Sequence, residues 1–123
     1  MTIISTGILV TESLIATDIL AEQGVNARLL DVHSIKPIDQ DAVLKAARET
    51  GAIVTVEDGN IIGGLGGTVA EIEGENFPVP IQRIGVRDTF GLSGTIEELK
   101  TTYKLSAPFI VKAAKQAMNQ KKL

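Results

Sequence analysis

Glu57 and Asp58 place two carboxylates directly ahead of Gly59 and Asn60, and Gly63, Gly64, Gly66 and Gly67 follow within VTVEDGNIIGGLGGTVAE. Acids beside a glycine-rich turn suggest two kinds of chemistry. In the first, an apolar run, a glycine turn and a helix start present free amides to a phosphate or another small anion. The helix dipole then adds about 0.3–1 kcal/mol per exposed charge. In the second, the glycines let the helix start approach its neighbours closely, and Glu57 and Asp58 satisfy the free amides themselves. Two acids beside the turn also repel a phosphate. Both readings stay open on the sequence. Named nucleotide motifs are incomplete: the row Gly64-Leu65-Gly66-Gly67-Thr68-Val69 misses the last glycine of G-x-G-x-x-G, and no lysine lies between Lys45 and Lys100 to complete a P-loop.

Other reactive side chains are few. Asp31-Val32-His33 could pair an acid with a histidine, but spacing locates no nucleophile to complete a triad, and hydrogen-bonded structure or an interface also fits. Arg83, Arg87 and Asp88 flank a strand end, where charges are paired or solvated. Thr89-Phe90-Gly91-Leu92-Ser93-Gly94 has turn chemistry and carries an aromatic side chain, either a contact surface or a plug beneath a loop. The absence of cysteine removes disulfides, zinc–thiolate sites and thiol catalysis, and a single histidine excludes a three-histidine metal site. A net charge of −3 gives no electrostatic case for nucleic acid or an anionic membrane. No apolar run approaches the roughly 20 residues that span a bilayer, so the expected setting is cytoplasmic.

The elements that must position these groups follow from periodicity. TIIS (Thr2 to Ser5) reads as a buried strand. Thr11 is placed to cap a helix with an apolar stripe of Leu14, Ile15, Ile19 and Leu20, ending at Gly24. A second strand spans Ala27 to Val32. Asp39 caps a helix carrying Val43, Leu44 and Ala47 that stops at Gly51. Ala52 to Val56 is the third strand, Leu65 to Glu73 a helix, and Ile81 to Val86 a fourth strand after Pro80. Thr95-Ile96-Glu97-Glu98 fits a capping box. Ser106 with Pro108 opens a last helix with a stripe of Phe109, Ile110, Ala113, Ala114 and Ala117, with Lys121 and Lys122 at its end. Strands alternating with helices at this spacing give an α/β fold: one domain over 1–123, three layers, with a mainly parallel sheet of four to five strands between helices. In such sheets ligands settle beyond the carboxyl ends of the strands, which is where Glu57 and Asp58 stand.

Three segments, DVHSIKPID, VTVEDGNIIGGLGGTVAE and RIGVRDTFGLSGTIEELKTTYKLS, resemble the C-terminal domain of transketolases in order and spacing, above all the separate C-terminal subunit of split transketolases. TIISTGILVTESLIATDILAEQG is similar to that domain's first strand and helix, so the resemblance covers nearly the whole chain. It implies a three-domain enzyme of ketol transfer between sugar phosphates, in which thiamine diphosphate and Mg lie between the first two domains. On the same resemblance, the domain matched here is expected to brace the dimer. On that resemblance no catalytic, cofactor or metal residue is expected in this chain, and the isolated chain is expected to be inactive. The Glu57-Asp58-Gly59-Asn60 run does not supply the Gly-Asp-Gly and distant Asn of the thiamine motif. The expected partners are an N-terminal portion bearing the cofactor domains and a second copy in a homodimer, with Ile61, Ile62, Leu65 and Phe90 as seam candidates. Relatives often carry His where Gly59 stands, and their sheet includes an antiparallel edge strand from upstream; with Thr2 opening the first strand here, an exposed or re-paired edge is expected. The chain thus reads as a domain cut from a longer subunit. Glu57, Asp58, Asn60, Gly63, Gly64, Gly66, Gly67, Arg87 and Phe90 are the candidate anion-binding or interface residues. Two alternatives share the fold: the C-terminal domain of a 2-oxo-acid dehydrogenase β subunit, and a small-anion-binding regulatory module.

Overall fold

The computed structural model describes residues 1–32, 39–60, 64–86 and 105–121. Four strands, β1 (Thr2–Ser5), β2 (Arg28–Asp31), β3 (Ile53–Asn60) and β4 (Ile81–Val86), form one sheet in the order β2-β1-β3-β4. All three pairings are parallel. Four described helices cover it: α1 (Val10–Glu22), α2 (Gln40–Thr50), α3 (Leu65–Asn76) and α4 (Ala107–Gln120). Helices α1 and α4 pack together on one face, α2 and α3 on the other. This is the three-layer α/β/α arrangement expected from the sequence. The segment Thr95–Glu98 and His33 lie outside the described residues.

A sheet sandwiched between helix layers buries both faces of its strands, so its strands are apolar throughout rather than alternating. Ile3 and Ile4, and Ile53 and Val54, are therefore all buried, although each pair points to opposite faces. Ile3, Val54 and Val56 join Leu20, Ile110, Ala114 and Ala117 in one core. Ile4 and Ile53 join Val43, Leu44, Leu65, Val69 and Ile72 in the other. Each large side chain so buried contributes about 1.5–3 kcal/mol.

Local chemistry explains the helix ends. Asp39 caps α2, its Oδ1 accepting from the Ala42 amide at 3.0 Å, and Gly51 closes the helix at φ 74°, the left-handed region where glycine carries no penalty. Lys121 then reaches across from the end of α4, its Nζ donating to the Thr50 carbonyl at 2.9 Å.

Four sequence expectations are corrected. The buried residues of α1 are Ser13, Ala16 and Leu20, while Leu14 and Ile15 are 51% and 44% exposed. The helix starts at Val10 after a 3-10 turn (Gly7–Leu9); small Ala16 joins the alanines of α4 in one core, and Ser13 meets Ser5 of β1. Ser13 is tolerated there because its hydroxyl is hydrogen-bonded to both the Leu9 carbonyl oxygen and Ser5 Oγ, each at 2.9 Å. Thr11 is exposed inside α1 and caps nothing; the N-cap position is Leu9. Ser106 stands at the N-cap of α4 without a side-chain bond, and Phe109 is only half-buried while Val111 faces the core. Strand β3 runs to Asn60 rather than ending at Val56, with an irregularity between Val56 and Asn60 where it pairs with β4. Glu57 thus belongs to a strand.

Candidate functional site

The chain leaves β1 to one side for β2 and returns to the other side for β3, so the topological switch point lies between β1 and β3 at their carboxyl ends. Glu57 stands at that end of β3. Side chains alternate along a strand, so Ile53, Thr55 and Glu57 share one face, the face covered by α2 and α3. Glu57 is therefore aimed beneath the first turn of α3. Its two carboxylate oxygens accept from the Leu65 and Gly66 amides at 2.9 and 2.8 Å, and the residue is 3% exposed. These are the first two amides of the helix, groups that no residue inside the helix can satisfy. One carboxylate holds both, at the positive end of the dipole.

The glycines of this turn have unequal roles. Gly64, at the N-cap, has φ −96° and ψ −152°, an extended conformation open to any residue. Gly66 is different. A Cβ there would lie 2.7 Å from Arg83 Cδ and 2.9 Å from Thr55 Oγ1, distances that real Cβ atoms do not reach. Thr55 and Arg83 are register partners on β3 and β4, so Arg83 lays its aliphatic stem across the helix start just where Gly66 offers no side chain. Thr55 is fully buried, and among the described residues its Oγ1 has no hydrogen-bond partner. Gly67 is half-buried in the first turn of α3.

The same device recurs at α4. Glu12, in the first turn of α1, accepts from the Ala107 amide at 3.0 Å, supplying from 95 residues away the cap that Ser106 does not give. At the far end of α3, buried Glu73 accepts from the Val79 amide at 2.6 Å and so fixes the turn into β4. Among the described residues, the two buried carboxylates, Glu57 and Glu73, are both spent on backbone amides.

Among the candidate residues, the structure brings together Glu57, Gly64, Gly66 and Gly67. Asn60 closes β3 with Asp58 two residues before it; the side chains of both lie outside the described part of the chain, as do Gly63, Arg87 and Phe90 altogether. Leu65, offered as a seam residue, is instead fully buried against Val69 and Ile4 because the cap turns it inward. The sequence reading missed Glu12, Glu73 and Thr55. For Thr55 the alternation Ile53, Thr55, Glu57 was a usable signal; for Glu12 none existed, since its partner is 95 positions away. Among the described residues, no group of three or more His, Asp or Glu side chains is placed to hold a metal ion. No described helix is long and apolar enough to cross a membrane.

Residues 1–110 match the family described as transketolase, C-terminal domain. The chain is 50% identical over 121 residues to a 6-deoxy-6-sulfo-D-fructose transketolase subunit of Clostridium sp. (strain MSTE9), covering 98% of this chain and 38% of that protein. It is 44% identical over 114 residues to a subunit of the apulose-4-phosphate transketolase of Phocaeicola vulgatus, covering 93% of this chain and 36% of that one. A 1-deoxy-D-xylulose-5-phosphate synthase of Syntrophotalea carbinolica is 36% identical over 118 residues, covering 95% and 19%. A solved structure titled split gene transketolase, inactive beta4 tetramer, superposes with a TM-score of 0.93 at 41% identity, over 98% of this chain and 40% of that chain. This chain therefore spans about two-fifths or less of the length of these relatives.

Proposed function

The chain belongs to the transketolase C-terminal domain family, and from that premise we propose that it is the bracing domain of a split-type transketolase, with ketol transfer between sugar phosphates carried out on domains of a partner portion. The observation that carries this reading is the occupancy of the α3 N-terminus. In a parallel sheet, a glycine-rich helix start at the switch point is the ordinary place for a diphosphate. Here its first two amides are bonded to buried Glu57, which also sets a negative charge where an anion would have to enter. Those two amides are thus not free for the diphosphate of a thiamine cofactor, which supports a reading that assigns this site no chemical step. The same carboxylate weighs against a small-anion regulatory module.

Transketolase is the best-supported member of the family for the parent enzyme, because the relatives at 50% and 44% identity carry that name as subunits. Those two are named for different sugars, and the synthase relative for a third, which supports a reading in which the substrate is chosen mostly outside this domain. The remaining parts of the reading are a cytoplasmic enzyme, an N-terminal partner bearing both cofactor domains, and self-association of this chain.

Complementation tests it. With thiamine diphosphate, magnesium and ketose and aldose phosphates, the chain alone should give no turnover, and adding the portion with both cofactor domains should restore it. Turnover by the chain alone would refute the reading.

A further inference from the structure

We draw no further inference here: the strongest candidate, the exposed apolar strip of Leu14 and Ile15 on the outer face of α1 beside α4, carries nothing, because nothing in the structure shows what covers it.

Discussion

Helices α2 and α3 lie side by side on the same face of the sheet, yet their first turns are built in opposite ways. The start of α2 is local and wet: exposed Asp39 accepts from an amide three residues on. The start of α3 is remote and dry: buried Glu57 reaches from a neighbouring strand to two amides eight and nine residues ahead. A cap facing water can be replaced by water. A buried cap cannot, because the amides it leaves behind keep their desolvation penalty and gain no partner.

The largest expected effect tests that difference directly. Glu57→Ala strands two buried amides at about 1–3 kcal/mol each and opens a gap beneath α3, for a total loss of roughly 3–5 kcal/mol in urea unfolding. Glu57→Gln keeps one acceptor oxygen and should fall between alanine and the parent. A Glu57→Ala loss no greater than that of Asp39→Ala would erase the contrast between the two helix starts.

Next comes Gly66→Ala, which asks whether the dry start also depends on close approach. Alanine improves helix propensity by up to about 1 kcal/mol, but its Cβ would sit 2.7 Å from Arg83 Cδ and 2.9 Å from Thr55 Oγ1. Arg83 can swing aside, whereas Thr55 lies in a central strand with no room to retreat. A net loss of about 1–2 kcal/mol is expected. Gly64→Ala is the control: its φ of −96° is open to alanine, so backbone conformation alone predicts little change.

Asp39→Ala comes third, at about 1 kcal/mol, the ordinary cost of an exposed N-cap. It should leave the slope of the unfolding curve unchanged.

The contrast also separates what was legible in the sequence from what was not. Asp39 and Gly51 were readable because capping by a residue's own neighbours depends on positions a few residues apart. The parallel pairing and layer count followed from the alternation of apolar runs with helices, which both buried faces of the sheet enforce; the strand order β2-β1-β3-β4 comes from the structure alone. The stripe assigned to α1 held at Ile19 and Leu20 but failed at Leu14 and Ile15, which look like core residues, while small Ser13 and Ala16 are buried, Ser13 against Ser5 of β1 and Ala16 in the core shared with α4. For the candidate site, Glu57 beside the glycines was visible as a possible cap, but which acid turned inward was not. The parity of β3 decides it, and the strand continued past the point where its apolar run ends. Glu12 at the α4 start was beyond reach, since two segments 95 residues apart meet only in the folded chain.

The smallest expected effect belongs to Thr55→Val, and it bears on what the dry start leaves unsatisfied. Thr55 shares the face of Glu57, yet among the described residues its buried hydroxyl has no partner while the carboxylate two residues on has two. Valine keeps the β-branched shape and removes the polar atom. Where a buried hydroxyl makes no hydrogen bond, that exchange costs no bond and relieves desolvation, so stability should hold within about 0.5 kcal/mol or rise. The added methyl must fit against Gly66, which limits the gain, because the hydroxyl oxygen already lies at the closest approach of strand and helix. A loss above about 1 kcal/mol would mean that the hydroxyl has a partner, such as a buried water held between β3 and α3. The α3 start would then depend on a small polar network and not on Glu57 alone. Combining Thr55→Val with Glu57→Ala separates the two cases: additive losses keep the carboxylate independent, and a coupling beyond about 0.5 kcal/mol ties both residues to one network.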